Sequence, residues 1–395
     1  MSLKILNIID MKTNRLYTFS LFLLMALLLF SCVKEIFPKL DSDEVNKLVV
    51  NAQLTNIIGY QKVNISYSSS IGEPENKFVD NCIVKLEDSN GFEYAYSSND
   101  NGDYSLWLDS GVIDLGLKYK LSVVTPDGQH IESSWESFAL SSDISDVYYK
   151  IEKEDNSHFA TNHYRLQFYT NLKANENDSR YYLFDLTETY EFHAEYPIEW
   201  WYDGEVHHVS PPDYSKHICY NVFPIKDIFV LSTANFDNNE YDEFVLNYVY
   251  NEHQKLDHLY SLLVRQIALN EKSYNYWNQM KINKHQDGGL YTNQPFAIMG
   301  NLRNVSDTNK RVLGYFTVGT ASEKRIFVPP PGIESLGSDC FQTPLRFGLR
   351  EISAANYPVY LVGDYTGYKS IILDEQCVDC TAFGNGTTTK PSYWP

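Results

Sequence analysis

Alternating apolar and polar positions run through most of the chain and predict β-strands. The clearest early examples span residues 48–54, 63–67, 82–86 and 119–123. Because successive side chains of a strand point to opposite faces, this period of two predicts strands with one buried face. The pairs Asn90-Gly91 and Asn101-Gly102 lie between such runs and favour tight hairpin turns. Residues 47–140 are therefore predicted to form a β-sandwich of immunoglobulin-like or transthyretin-like architecture.

A polar stretch near residues 141–157 interrupts this pattern, and longer aromatic strands follow it. They span residues 163–169, 180–190, 223–231 and 257–269. The last one carries apolar residues on both faces, which predicts a central strand covered on both sides. One helix is predicted after it, with Asn270 as its N-cap and with Tyr276, Trp277 and Met280 on one face. Residues 141–395 are thus predicted to form a larger antiparallel β domain with one short helix, so the whole fold is mainly β.

Composition supports the β prediction and excludes two classes of protein. The chain of 395 residues contains 31 Tyr and 21 Phe, and aromatic residues favour strands. Its formal net charge is −19, from 32 basic and 51 acidic side chains. Such an acidic surface repels phosphate backbones, so nucleic acid is excluded as a partner. The hydrophobic content of 43% likewise excludes intrinsic disorder.

The N-terminal segment has the pattern of an export signal. Lys12 and Arg15 precede an uncharged apolar run over residues 16–30, which is shorter than the roughly 20 residues of a membrane-spanning helix. The run ends in Leu29-Phe30-Ser31-Cys32, which resembles a bacterial lipoprotein signal. That resemblance implies removal of residues 1–31 and acylation of Cys32, with residues 32–46 as a lipid-anchored spacer. An ordinary cleaved signal is the alternative.

An exported chain meets oxidising conditions, in which disulfides form. The candidate disulfide cysteines, to which three connectivities are open, are Cys219, Cys340, Cys377 and Cys380. We favour a bond between Cys340 and either Cys377 or Cys380. Cys219 would then bond to the other. Cys82 alternates with apolar residues and is predicted to be a buried free thiol. Cys377 and Cys380 form a C-x₂-C motif. A zinc site would need two more ligands at suitable spacing, and a redox pair would normally stand at the start of a helix. Neither feature is present in the sequence, so neither kind of site is predicted.

No motif in the sequence indicates catalysis, since it contains no G-x-S-x-G, no H-E-x-x-H and no G-x-x-x-x-G-K-[ST] pattern. The residues most similar to a metal site are His207, His208, His217 and Cys219. Consecutive histidines on a strand point to opposite faces, so His207 and His208 could not easily bind one ion. We interpret these histidines as solvated loop residues. No catalytic residue, metal ligand or cofactor is therefore predicted, and the protein is not expected to be an enzyme.

Aromatic residues crowd one segment that prolines interrupt. They include Tyr196, Trp200, Trp201, Tyr202 and Tyr214, close to Pro197, Pro211 and Pro212. Aromatic side chains on an irregular segment can form a ligand or partner surface. They can equally fill a core beneath a long loop. Both interpretations stay open, and the segment is the best candidate contact region of the chain.

Several landmarks occur in an order that resembles one protein family. They are Cys32 followed by Lys34-Glu35, Leu48-Val49-Val50-Asn51-Ala52, Leu263-Val264-Arg265-Gln266 leading to Tyr274 and Trp277, Gly300-Asn301-Leu302, Gly314-Tyr315-Phe316, and Cys377-Val378-Asp379-Cys380 before Lys390-Pro391-Ser392-Tyr393-Trp394. In this order the chain is similar to Bacteroidota outer-membrane lipoproteins of unassigned function. Members are often encoded near TonB-dependent transporters, so the resemblance implies an accessory role at such a pore. It supplies no catalytic residues.

These features lead to one functional expectation and two alternatives. We expect a non-enzymatic protein, anchored in the outer membrane through the lipid on Cys32, that assists a TonB-dependent transporter by capturing a ligand or docking at the pore. It is expected to face the cell surface, with the periplasmic face left open. The first alternative is a structural or assembly subunit of a larger envelope complex. The second is a surface hydrolase.

Overall fold

The computed structural model describes residues 46–69, 75–154, 163–251, 254–285, 298–333, 340–346, 348–363, 369–384 and 386–395. The predicted signal peptide, Cys32 and nearly all of the predicted spacer lie outside these ranges. Within them the chain folds mainly into antiparallel β-sheets with one α-helix, which confirms the predicted fold class. No helix in the described ranges combines the length and the apolar composition that crossing a membrane requires.

The strands are numbered in chain order. The first twelve are β1 (Leu48–Leu54), β2 (Gly59–Tyr67), β3 (Lys77–Phe78), β4 (Ile83–Asp88), β5 (Glu93–Ala95), β6 (Ser97–Ser98), β7 (Asp103–Leu108), β8 (Lys118–Val124), β9 (His130–Ser133), β10 (Glu136–Ser137), β11 (Asp146–Glu154) and β12 (His163–Lys173). The next are β13 (Tyr181–His193), β14 (Ile198–Tyr202), β15 (Val206–Asp213), β16 (Ile218–Ser232), β17 (Glu240–Tyr250), β18 (Tyr260–Leu269), β19 (Leu302–Asn304), β20 (Val312–Val318), β21 (Ala321–Val328), β22 (Thr343–Pro344), β23 (Val359–Gly363) and β24 (Lys369–Ile372). The helix α1 spans Glu271–His285, and short 3₁₀ helices span Gln254–Leu256, Leu349–Glu351, Ala354–Asn356, Glu375–Cys377 and Cys380–Ala382.

The N-terminal lobe is a sandwich of two β-sheets. One sheet has the strand order β20-β1-β2-β7-β6, with β3 also paired to β2. The other has the order β19-β9-β8-β4-β5, with β10 also paired to β8. The apolar positions of the alternating pattern form one buried cluster between the sheets, as Val50, Ile65, Leu86 and Leu121 illustrate. Burial of one face per strand is therefore what holds this lobe together.

Two strands from much later in the chain complete this sandwich. Strand β20 runs parallel to β1, and β19 pairs antiparallel with β9. The sandwich therefore extends beyond the predicted range 47–140, and strands β11 to β18 of the second lobe are inserted ahead of its last two strands. Alternation indicates that a segment is a strand but does not indicate its partner. The predicted domain boundary therefore assigns Leu302–Asn304 and Val312–Val318 to the second domain.

The second lobe packs a three-stranded sheet, β11-β12-β17, against a four-stranded sheet, β16-β13-β18-β21. Aromatic rings fill the space between them. Phe168 of β12 stacks on Tyr260 of β18 with ring centroids 5.7 Å apart, and both are fully buried. Strand β18 lies between β13 and β21 and is buried on both faces. The predicted central, fully covered strand is thus confirmed.

The predicted helix is also confirmed. The side-chain oxygen of Asn270 accepts a hydrogen bond from the backbone N–H of Ser273 at 2.8 Å, which caps the first turn. Trp277 packs against the outer face of the four-stranded sheet. Tyr276 packs against Tyr315 of β20, with ring centroids 4.8 Å apart. Helix α1 therefore contacts both lobes.

A further sheet, in the order β15-β14-β23-β24-β22, carries the aromatic segment. It lies beside two disulfides, Cys340–Cys377 and Cys219–Cys380, whose Cα atoms are each 5.6 Å apart. This is one of the two favoured connectivities, so the prediction of two disulfides is confirmed. Cys82 is a buried free thiol, as predicted.

Candidate functional site

The predicted aromatic contact region forms a β-hairpin. Trp200, Trp201 and Tyr202 lie in β14, which pairs with β15 on one side and β23 on the other. Among the described strands β15 pairs only with β14, so it forms a sheet edge, which is where a strand tolerates prolines such as Pro211 and Pro212. The segment therefore consists mainly of two paired strands, and its predicted irregularity is confined to the register shift between Ile198 and Trp200, opposite residues 209–212.

The two tryptophans point to opposite faces of this hairpin, and each stacks on a histidine. Trp200 lies 3.7 Å from His208 between ring centroids, and Trp201 lies at the same separation from His207. Each indole also packs against an apolar cluster formed by β23 and β24. Both tryptophans are half-buried. They therefore fill part of a core and leave part of each ring accessible, so both interpretations of the segment stay open.

Tyr196 precedes β14 and Tyr214 follows β15, so both lie at the open end of the hairpin. The backbone N–H of Tyr196 donates to the carbonyl oxygen of Cys377 at 2.9 Å, which ties the start of the hairpin to the Cys340–Cys377 disulfide. Tyr214 follows β15 and is 59% exposed. Of the five predicted contact residues, Tyr214 has the most accessible ring.

The four residues that most resemble a metal site in the sequence do not lie together in the structure. They are His207, His208, His217 and Cys219. His207 and His208 stack on opposite faces of the hairpin, and the sulfur of Cys219 is bonded to Cys380. These residues could not bind one ion together. His217 instead lies beside His193, with ring centroids 5.6 Å apart, and belongs to another group of polar side chains.

That group lies where β13 ends and β18 begins. Glu191 and His193 are two residues apart on β13, so their side chains share one face. The backbone N–H of Glu191 donates to the carbonyl oxygen of Leu259 at 3.1 Å, which continues the pairing of the two strands. His258 precedes Leu259 and therefore lies beside this face. Glu191, His193 and His258 form what we name the Glu-His cluster.

The members of the Glu-His cluster are in close contact. One nitrogen or oxygen atom from each side chain lies within 4.8 Å of the other two. Nε2 of His193 and Oε1 of Glu191 are hydrogen-bonded at 2.5 Å, and the rings of His193 and His258 stack with centroids 3.5 Å apart. The second carboxylate oxygen of Glu191 accepts a hydrogen bond from the indole N–H of Trp394 at 3.1 Å. The C-terminal residues therefore help to position the cluster.

The Glu-His cluster borders a cleft of about 360 Å³. The polar residues that line the cleft include His193, His217, His258, Gln254, Asp257 and Gln376. Nδ1 of His217 is buried and has no hydrogen-bond partner in the described part of the chain. Cys340 also lines the cleft, so one disulfide braces its wall. A cleft of this size with several polar donors could hold a small polar molecule or an ion.

Two of the histidines in this cleft have a lowered pKa, which favours the neutral ring. Burial lowers the pKa of His258, and the neighbouring His193 lowers it further, while Glu191 and Asp257 oppose the shift. Burial also lowers the pKa of His217, with a smaller contribution from His193. An ordinary histidine pKa is about 6.5, so lowering it leaves the imidazole uncharged at neutral pH. Each neutral ring keeps a lone pair that can accept a hydrogen bond or bind a metal.

The sequence does not predict this cluster, because its members come from segments that are far apart along the chain. The spacing Glu191-x-His193 on a predicted strand was a usable signal, since it places two potential ligands on one face. Nothing in the sequence alone shows that β13 pairs with β18, and this pairing is what adds His258. The buried contact of Glu191 with Trp394 is likewise visible only in the fold.

Comparison with known proteins gives a family and no activity. Residues 33–325 match the family described as a domain of unknown function, DUF4249. None of the curated proteins matches this sequence significantly. Among solved structures, trypsin-activated alpha-2-macroglobulin from Escherichia coli is similar at 9% identity and a TM-score of 0.18, over 58% of this chain and 15% of that one. The chain thus spans a small part of that protein, and so weak a likeness carries no argument. Because the family match covers most of its length, the chain belongs to the DUF4249 family.

Proposed function

We propose that this protein is a lipid-anchored, non-enzymatic component of a bacterial outer membrane that assists a TonB-dependent transporter. The observation that carries the proposal is the apolar run that ends at Cys32 with a lipoprotein-like signal. Acyl chains on Cys32 would hold the folded lobes at the membrane, since each buried CH₂ group contributes about 0.8 kcal/mol. The resemblance to Bacteroidota lipoproteins supports a position on the cell surface.

The body of the protein suits an exported, tethered role. Two disulfides join segments far apart in sequence, as Cys219 and Cys380 illustrate, and such bonds persist in oxidising compartments. Strand β1 starts at Leu48, shortly after the predicted spacer, so the N-terminal sandwich is the lobe nearest to the lipid along the chain. That lobe would dock the protein or hold it away from the membrane. The second lobe would capture the ligand or cover the pore.

The aromatic hairpin supports the capture role. The exposed ring of Tyr214 lies at the open end of the hairpin, and the indoles of Trp200 and Trp201 are half-buried within β14. Aromatic anchors of this kind dominate many binding surfaces because they bury a large area at a low cost in conformational entropy. The bond from Tyr196 to the disulfide-linked Cys377 fixes one end of the hairpin, which reduces the entropy lost on binding.

Affinity purification from detergent-solubilised outer membranes tests the proposal. The tag belongs in the exposed turn at Asn90-Gly91 and not at the C-terminus, because Trp394 is buried against Glu191. We expect one TonB-dependent barrel to co-purify in stoichiometric amount. The Cys32→Ala variant is the control, and it should lose membrane attachment and recover much less of the barrel.

Two other outcomes would contradict the proposal. Recovery of several envelope proteins in fixed ratios, with no predominant barrel, would favour an assembly subunit. Recovery of no partner after gentle extraction and chemical cross-linking would rule out both roles.

A further inference from the structure

We propose that Glu191, His193 and His258 bind a divalent transition-metal ion, with Zn²⁺ as the representative of the class. The inference goes beyond the proposed transporter role and does not depend on it. Two imidazoles and one carboxylate are donor types that Zn²⁺ and related transition metals prefer, whereas Ca²⁺ and Mg²⁺ prefer oxygen donors alone. The Glu-His cluster is therefore selective in its chemistry for the nitrogen-binding metals.

The three side chains are already close enough to share one ion. One donor atom of each lies within 4.8 Å of the other two. Zinc-to-ligand bonds are about 2.0–2.2 Å long, so two ligands of one ion stand roughly 3–4 Å apart. Rotations of the side chains alone can bring the donors to this spacing.

A hydrogen bond from outside the Glu-His cluster orients its carboxylate, as is common for ligands in metal sites. Trp394 donates to Oε2 of Glu191, which leaves Oε1 directed at His193. Trp394 is only 6% exposed and packs against Tyr220, so a well-packed residue holds the carboxylate. Hydrogen bonds from a second layer of residues commonly fix metal-binding carboxylates in this manner.

Ring packing by itself does not account for the residue types. His193 and His258 stack closely, yet phenylalanine or tyrosine would provide the same stacking at the wall of the cleft. The chain instead concentrates nitrogen donors here, with His217 on the other side of His193. Three protein ligands also leave a position in a tetrahedral site for water or for a donor atom of a bound molecule. The adjoining cleft of about 360 Å³ has room for either.

The test uses the full-length chain, purified in detergent and stripped of metal with a chelator. Calorimetry measures Zn²⁺ binding, and the visible absorption of Co²⁺ reports nitrogen and oxygen coordination. We expect one Zn²⁺ per chain for the wild type. We expect Glu191→Gln and His258→Phe each to weaken binding by about tenfold or more. His258→Phe keeps an aromatic ring against His193 and removes one ligand, so it separates packing from metal binding.

The matched control is the double variant His207→Gln and His208→Gln, which removes two other histidines of the same lobe. It should bind Zn²⁺ as the wild type does. The proposal is overturned if the wild type shows no saturable binding, or if the control loses as much affinity as the cluster variants. Thermal unfolding of the metal-free proteins checks that each variant folds. If His258→Phe does not fold, Glu191→Gln decides, and unchanged Zn²⁺ affinity in that folded variant would also overturn the proposal.

Discussion

Gly314 of β20 lies directly against Val50 of β1. A Cβ atom on Gly314 would stand 2.0 Å from the carbonyl oxygen of Val50, and the backbone of Gly314 has a φ of +98°. Gly300 is equally constrained, since its Cβ would stand 1.7 Å from the carbonyl oxygen of Gly314. These glycines permit the close approach through which the late strand β20 joins the N-terminal sandwich. Their place among the landmarks of the family resemblance thus has a steric reason.

Replacing Gly314 with alanine should therefore weaken the parallel pairing of β1 and β20. We expect Gly314→Ala to lower the free energy of unfolding by more than about 3 kcal/mol, because both the positive φ and the backbone contact oppose a side chain. Gly91→Ala is the control, since Gly91 has a positive φ but open space around it. That variant should lose only about 1 kcal/mol. Urea unfolding measures both, and equal losses would contradict the steric account.

The two disulfides should contribute unequally to stability. The Cys219–Cys380 bond closes a sequence separation of 161 residues, and Cys340–Cys377 closes one of 37. Loop-closure entropy predicts losses of about 5 and about 4 kcal/mol when each pair is replaced by alanine. Guanidinium unfolding of the two double variants measures this difference. A clearly larger loss for the shorter loop would show that packing around the bonds outweighs chain entropy.

Asp379 should stabilise the fold at neutral pH and lose that effect in acid. Burial raises the pKa of its carboxyl group, but hydrogen bonds from Lys216 and Thr381 outweigh burial and lower the pKa overall. The carboxylate therefore stabilises the fold above the ordinary aspartate pKa of about 3.9, and this contribution disappears as the pH falls through the lower folded value. Because Lys216 is partly exposed, we expect Asp379→Asn to cost about 1–2 kcal/mol at pH 7.

The pH dependence of the same variant provides the check. Between pH 7 and about pH 4 the difference in unfolding free energy between the wild type and Asp379→Asn should stay constant. Below that it should shrink, because only the wild type loses a charged carboxylate. A difference that does not change in acid would mean that the side chain acts through its shape and not through its charge.

Two substitutions in the aromatic hairpin should affect the stability of the fold and the binding of a partner differently. Trp201 packs on an apolar cluster and on His207, so Trp201→Ala should lower the free energy of unfolding by about 2 kcal/mol. Tyr214 is largely exposed, and Tyr214→Ala should change stability by less than about 0.5 kcal/mol. If the hairpin is a contact surface, Tyr214→Ala should nevertheless reduce partner recovery. Unchanged recovery with this variant would place the contact elsewhere.

Features that depend on neighbouring residues in the chain could be predicted from the sequence. Alternation located most strands, the Asn270 cap located the helix, and the two apolar faces of β18 marked a central strand. Pairing over long distances could not be predicted in this way. The return of β20 to β1 depends on Gly314, and the meeting of His258 with Glu191 depends on the register of β13 and β18. The candidate site was missed for the same reason.

Site-specific photo-cross-linking in intact cells tests the central claim, assistance to a TonB-dependent transporter, most directly. A photoreactive residue replaces Tyr214 on the hairpin or, as the matched position, Phe92 on the N-terminal sandwich. Both side chains are exposed, at 59% and 65%. Our account predicts an adduct between position 214 and a TonB-dependent barrel, because the second lobe captures the ligand or covers the pore. Position 92 should form a second adduct if the N-terminal sandwich docks, and none if it only holds the protein away from the membrane. The absence of any barrel adduct from both positions would contradict it.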